Sequence, residues 1–148
     1  MQTLQAVLDA KASKTIHWTT AHTTVLEAVD AMCRARVGAL LVRSDDAPVG
    51  VLSERDVLTR VVLARRDPAT TRVADVMTHH LVCIGPDAEP EEAMRVMTER
   101  RCRHLPVVER GRVIGLVSIG DLVRWVTQNQ AFEIRMLDEY LLVGKYPG

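Results

Sequence analysis

Aromatic side chains are nearly missing from this sequence: Phe, Trp and Tyr make up 3% of its 148 residues. The core must therefore be built from Val, Leu, Ile, Ala and Met. Stacking on exposed rings cannot be a main binding device, which weighs against a single-strand nucleic-acid platform. Net charge is missing too, with 19 Lys and Arg against 19 Asp and Glu. No global field gathers polyanions, so any anion site must be local. No basic start leads into an apolar stretch of signal-peptide length, and no run approaches the roughly 18 apolar residues of a membrane span. A soluble, cytoplasmic protein is expected, with neither nucleic acid nor membrane as partner. Catalytic signatures are also wanting. There is no nucleophile–base pair and no Gly-x-Ser-x-Gly, and the five histidines lack metal-binding spacing. His79 and His80 are adjacent on a linker, where their side chains diverge too much for a strong metal site. No enzyme, catalytic residue or metal site is expected. Arg100-Arg101-Cys102-Arg103 is a short basic run of the kind that ends a solvated helix. The odd cysteine count, Cys33, Cys83 and Cys102, within apolar periodic runs, predicts small buried hydrophobes in a reducing compartment.

What is present is a globular balance, 47% hydrophobic and 26% charged, and a duplication. Gly50-Val51-Leu52-Ser53-Glu54-Arg55-Asp56 returns as Gly115-Leu116-Val117-Ser118-Ile119-Gly120-Asp121, an offset of 65 residues from Gly50 to Gly115. Each copy reads as the end of an apolar strand that turns through a hydroxyl residue into a helix, with a carboxylate in the first turn. Two uses fit this pattern. Ser-x-x-Asp is a variant of the capping box, in which hydroxyl and acid satisfy orphan helix donors. The same turn, with exposed N–H groups and positive dipole character, suits a phosphate. Similarity extending on both sides marks a duplicated unit, which a lone cap would not.

The flanking sequence repeats as well. Leu4, Val7 and Leu8 have the spacing of a short amphipathic helix over residues 2 to 9, and Val73, Val76 and Met77 repeat it. Thr15-Ile16-His17-Trp18 and Leu81-Val82-Cys83-Ile84 read as strands. Thr24-Val25-Leu26-Glu27 is a capping box opening a helix with Val25, Ala28, Val29, Met32 and Cys33 on one face, and Pro90 takes the first helical position in the second copy. Strands at Gly38–Arg43 and Arg103–Val108, polar turns, and returning apolar strands at Val49–Leu52 and Val113–Val117 make a hairpin in each copy. The near-continuous apolar character of the returning strands predicts burial on both faces. A last helix from Leu122 is expected to run toward Leu142, where Phe132, Met136, Leu137, Tyr140 and Leu141 form an apolar stripe that needs a partner.

The two Gly-apolar-apolar-Ser-x-x-Asp segments, with Val37–Val42, Arg103–Val107 and Val73–Thr78, resemble the CBS domain, named after cystathionine β-synthase. The likeness is to a stand-alone tandem pair of the bacterial and plant-organelle type and covers nearly all of residues 4 to 126. It implies an α+β fold of two β-α-β-β-α repeats about a pseudo-twofold axis, with a C-terminal helical extension. The expected divisions are 1–66, 67–127 and 128–148. It further implies clefts for an adenine nucleotide (AMP, ADP, ATP or NAD), no catalytic cofactor, a homodimer, and a regulatory role signalled through the conformation of the dimeric pair or through binding of a regulated protein. By this resemblance Ser53 and Asp56 serve one cleft, and Ser118 and Asp121 the other, the acids reading ribose hydroxyls. The adenine would lie near Ile16 or Val82 and near Gly38, Ala39, His104 and Pro106.

Asp chemistry suits that role, since a carboxylate can accept two hydrogen bonds from a cis-diol while a helix N-terminus receives phosphate. Arg55 is the evident phosphate cation of the first motif. Gly120 stands two residues after Ser118 where Arg55 follows Ser53, so the clefts should differ, with Arg103 or His104 as possible substitutes. Leu41 in place of Pro106 should alter the first adenine pocket. The rival reading is a ligand-independent dimerisation or docking scaffold.

Overall fold

Hydroxyl caps and apolar spacing fix the helices. The Thr24 hydroxyl accepts the Glu27 N–H at 3.2 Å and opens α2 (Val25–Ala35), which buries Val25, Ala28 and Met32 and ends at left-handed Arg36. Pro90 is the first residue of α5 (Pro90–Arg100), which ends at left-handed Arg101. The computed structural model describes residues 2–11, 13–45, 47–79 and 81–128. The class is α+β, and the chain divides into two compact units.

One unit is continuous, Thr15–Val82. Its sheet has the order β1 (Trp18–Thr20), β2 (Ala39–Ser44), β3 (Ala47–Ser53). The β1–β2 pair is parallel, Trp18 opposite Leu41, and β2–β3 is an antiparallel hairpin with a bulge between Val42 and Arg43. Beyond β3 come α3 (Glu54–Val57) and a single π-helical turn, Leu58–Val62. α4 (Val73–Val76) delivers Val73, Val76 and Met77 into a core shared with Val25, Ala28, Met32, Leu40, Val42, Leu52 and Val61. After α4 the chain bonds to β3, with Val51 N–H to Thr78 O at 3.0 Å and Thr78 N–H to Val51 O at 2.9 Å. A side chain at Gly50 would obstruct this approach, because a Cβ there would lie 2.5 Å from Thr78 O.

In the other unit α1 (Leu4–Ala10), from the segment before Lys14, joins the elements that follow Cys83. These are α5, the hairpin β4 (His104–Glu109) with β5 (Arg112–Ser118), and α6 (Ile119–Thr127). The hairpin closes through Arg110 and Gly111, both at positive φ, as a two-residue turn requires. Leu4 N–H bonds to Ala88 O at 2.9 Å and Gln5 N–H to Pro86 O at 3.0 Å, which seats α1. Its stripe, Leu4, Val7 and Leu8, is buried, and Leu8 presses on β5 where Gly115 carries no side chain.

Several expectations are corrected. The divisions 1–66 and 67–127 place each short leading helix with the repeat that follows it. In the folded chain α1 joins the elements of the second repeat, and α4 joins those of the first. The reason is the pair of glycines: Gly115 receives Leu8 and Gly50 receives the end of α4. The first strand begins at Trp18, leaving Ile16 ahead of it. The expected strand Leu81–Ile84 reduces to one bridge, Ile84 with Val107. Leu41 donates its N–H to His17 O at 3.0 Å. Its counterpart Pro106 has no N–H for that bond, so the ladder is shorter. Along β3 and β5 burial alternates between complete, at Leu52 and Val117, and partial, so these strands are not buried on both faces. Cys33 and Cys83 are exposed and Cys102 is half-buried. Met32 takes the core position on α2 and leaves Cys33 one step outside the stripe. α6 begins at Ile119, and the stripe Phe132–Leu141 lies outside the described residues.

Candidate functional site

Both Ser-x-x-Asp motifs sit where a hairpin strand becomes a helix, and both form complete capping boxes. In the first, Ser53 Oγ accepts the Asp56 N–H at 3.2 Å while Asp56 Oδ2 accepts the Ser53 N–H at 3.0 Å. In the second, Ser118 Oγ accepts the Asp121 N–H at 3.1 Å, and Asp121 Oδ2 accepts the Ser118 N–H at 2.9 Å. The Glu54 N–H bonds to Gly38 O at 3.0 Å and the Ile119 N–H to Arg103 O at 2.9 Å, tying each helix start to the foot of its hairpin. The duplication therefore extends to individual hydrogen bonds.

The carboxylates differ in what else holds them. Asp56 is 7% exposed. The Ser53 hydroxyl donates to its Oδ2 at 3.0 Å, and Thr78 Oγ1 lies 3.1 Å from Oδ1 and 3.3 Å from Oδ2. Arg60 stands 3.9 Å away, but its Nη1 is engaged by the carbonyls of Val76 and Met77 at 3.0 and 2.9 Å. Asp56 is thus held at close range by neutral hydroxyls. Asp121 receives an ammonium: Lys11 Nζ lies 3.0 Å from Oδ2 and donates to Leu116 O at 2.9 Å. Among the described residues, Arg124 Nη1 stands 3.7 Å from its Oδ1. Burial opposes ionisation of Asp121, yet the Ser118 N–H and Lys11 outweigh it and hold the carboxyl below the ordinary carboxylate range.

In the Thr15–Val82 unit the expected site residues gather at one sheet end. Ala39 is buried and pairs with Ser53, and Gly38 precedes it. Half-buried Ile16 stands two residues before Trp18, at the same end of the parallel register. Arg55 is exposed and has none of the contacts that hold Asp56. In the other unit His104 pairs with Ser118 on the hairpin, and Pro106, buried, gives its carbonyl to Ile84 at 3.1 Å. Arg103 is exposed and contributes its backbone carbonyl. Val82 does not correspond to Ile16: the Ile84–Val107 bridge, displaced by 65 residues from Thr19–Val42, makes it the counterpart of His17.

Two residues at the acids escape motif reading, Thr78 and Lys11. Both follow a leading helix, on segments remote in sequence from the Asp they contact. A polar residue after each short helix is the only local signal, and it says nothing about destination. Among the described residues no His, Cys, Asp and Glu cluster could hold a metal, and no helix is long and apolar enough to cross a membrane.

The repeat, the hairpin-to-helix motifs and the sheet order define a tandem CBS module. The chain belongs to the CBS domain family, whose model matches residues 9–63 and 73–128. Proteins of this family are regulatory modules that commonly bind adenine nucleotides. The chain is 37% identical over 132 residues to the mitochondrial CBS domain-containing protein CBSX3 of Arabidopsis thaliana, covering 86% of this chain and 64% of that protein. It thus spans less than two thirds of that relative's length. A CBS-domain structure from Burkholderia ambifaria MC40-6 superposes with a TM-score of 0.84 at 40% identity, covering 87% of this chain and 96% of that one. A hexameric CBS-CP12 protein from bloom-forming cyanobacteria reaches 0.73 at 25% identity, covering 83% and 70%. Oligomeric assemblies therefore occur among its structural relatives.

Proposed function

We propose that this chain is a non-catalytic sensor that binds an adenine nucleotide, AMP, ADP, ATP or NAD, through its two Ser-x-x-Asp motifs. It transmits occupancy through a CBS-pair homodimer or to a regulated protein, in the cytoplasm. The observation that supports this most directly is the Asp121 carboxylate at a helix start, held at Oδ2 by the Ser118 N–H and Lys11. A carboxylate ordered at one oxygen, with Arg124 3.7 Å from the other among the described residues, is pre-organised to accept a ribose hydroxyl. At Asp56 the Thr78 and Ser53 hydroxyls occupy the places a diol would take, so a nucleotide there must displace one of them. Ile16, Gly38 and Ala39 would flank an adenine at the first motif, and Val82, His104 and Pro106 are the candidates for the second.

Calorimetric titration with AMP, ADP, ATP and NAD, repeated on Asp56→Asn and Asp121→Asn, tests this reading. Each substitution should weaken one site by about 1.5–3 kcal/mol, the worth of a charge-assisted hydrogen bond. If the double variant binds as tightly as wild type, the site assignment fails.

A scaffold that needs no ligand is favoured by a different observation. Leu58, Val62 and Leu63, in and beside the π-helical turn, are 59%, 60% and 77% exposed, an apolar group suited to a self-association surface. That reading expects the same dimer in sedimentation with and without nucleotide, and no heat of nucleotide binding.

A further inference from the structure

Each Ser-x-x-Asp acid is tied to the strand before it by a residue from outside the motif. At the second motif Lys11 Nζ reaches two acceptors, Leu116 O at 2.9 Å and Asp121 Oδ2 at 3.0 Å. Displaced by 65 residues these are Val51 O and the Asp56 carboxylate, and there Thr78 serves both. Its backbone N–H donates to Val51 O at 2.9 Å, and its hydroxyl lies 3.1 Å from Asp56 Oδ1 and 3.3 Å from Oδ2. The ammonium of one motif is thus replaced at the other by a neutral hydroxyl, the chemical group that a ribose itself presents. The Thr78 backbone is fixed by its two bonds to Val51 and by the close approach of its carbonyl to Gly50, so the hydroxyl stays beside the acid. It can leave by rotation about the Cα–Cβ bond alone, from one staggered rotamer to another, without moving the chain.

We infer that Thr78 is a specificity-determining residue of the first motif, whose hydroxyl stands in for one hydroxyl of a ribose diol at Asp56. The inference rests on the nucleotide reading above. A cis-diol brings two donors to a carboxylate, and at Asp56 one of them takes a place that the Thr78 hydroxyl fills in the free protein. The exchange is hydroxyl for hydroxyl on the same acceptor, so that ribose hydroxyl adds little to affinity, and the diol as a whole is worth one charge-assisted bond instead of two. When a ligand lacks the hydroxyl in question, Thr78 keeps its bond, and the carboxylate, 7% exposed, is not left short of a donor. The first motif therefore separates ribonucleotides from one class of deoxyribonucleotide only weakly. At the second motif an ammonium, charged and bonded to a strand carbonyl, is not exchanged for a neutral hydroxyl at equal cost.

Calorimetric titration of Asp121→Asn, in which the first motif acts alone, with AMP, 2′-deoxy-AMP and 3′-deoxy-AMP tests this. With Thr78 present, at least one of the two deoxynucleotides should bind within about threefold of AMP. In Thr78→Ala on the same background AMP should bind about tenfold more tightly, since nothing has to be displaced, and loss of either hydroxyl should now cost about tenfold. Thr78→Ser, which keeps the hydroxyl, should reproduce the pattern seen with Thr78. If Thr78→Ala shifts all three nucleotides alike, or leaves AMP unchanged, the residue is only structural; the stand-in is then overturned and the nucleotide reading is kept. Deoxynucleotides that match AMP in both proteins would show that Asp56 does not read the diol, which overturns the stand-in and the ribose assignment together. No heat with any nucleotide, with or without the Thr78 hydroxyl, defeats the nucleotide reading at this motif and the inference with it. If Thr78→Ala does not fold, the protein with Thr78 decides: a loss of about tenfold for both deoxynucleotides overturns the stand-in.

Discussion

Gly50→Ala is expected to be far more damaging than the same change at Gly115, although the two glycines are equivalent by repeat. At Gly50 the new methyl would lie 2.5 Å from the Thr78 carbonyl oxygen and 2.9 Å from Met77 Sδ. At Gly115 its three nearest neighbours would all be side-chain atoms of Leu8, the closest at 2.6 Å. A leucine end can rotate, whereas a carbonyl held by its own strand partner cannot. Restoring a contact of about 3.5 Å moves Thr78 O away by roughly 1 Å, which opens the 3.0 Å bond from Val51 N–H beyond useful range. Overpacking costs about 1–3 kcal/mol, and the lost backbone bond about 0.5–1.5 kcal/mol. Reduced freedom of the unfolded chain returns about 0.4–1 kcal/mol. The net is a loss of about 0.5–4 kcal/mol, centred near 2, for Gly50→Ala, with Gly115→Ala at about half that. Urea unfolding of both variants measures it, read as midpoint shifts at unchanged slope. A Gly50→Ala protein within about 0.5 kcal/mol of wild type, or one more stable than Gly115→Ala, would refute the claim that the end of α4 is locked against β3.

Thr78→Val removes a hydroxyl bond to the buried Asp56 carboxylate and should destabilise the chain by about 1.5–3 kcal/mol, with Thr78→Ser recovering most of it in the same urea assay. The Asp121 carboxyl is held below its ordinary value of 3.8, so its contribution is complete above that pH and is lost as pH falls through the lower folded value. Lys11→Gln should therefore flatten the acid limb of a stability–pH curve, and an unchanged limb would show that Lys11 does not hold the charge. Phe132→Glu with Tyr140→Glu should reduce the dimer fraction in sedimentation equilibrium, and an unaltered dimer would assign that stripe to the subunit's own packing.

Most of what is local was legible in the residues. The hydroxyl at Thr24 and the proline at Pro90 mark helix starts, the period of Val25, Ala28 and Met32 marks a core face, and the 65-residue echo from Ser53 to Ser118 marks a duplication. What escaped depends on long-range pairing. The absence of an N–H at Pro106 shortens a strand whose own residues, Leu81 to Ile84, look suited to it, since a strand forms only as far as its neighbour can bond. Nothing in Leu4–Ala10 or Val73–Val76 states which hairpin each short helix will cover. The partners of Asp56 and Asp121 arrive by that same route, so motif reading sees the acids but not Thr78 or Lys11.

Membership of α1 in the later elements also orders events in time. During synthesis the Thr15–Val82 unit is completed from one uninterrupted stretch and can close while the remainder is still being made. Lys11 must wait for Leu116, 105 residues further on, and until then the apolar stripe of α1 has no β5 to cover it. Closing so long a loop carries an entropic cost that rises only as the logarithm of its length, so the delay is chiefly kinetic. The vulnerable interval in the life of this chain therefore runs from the emergence of α1 until β5 has been made, and holdase binding or misassembly should be directed at Leu4, Val7 and Leu8.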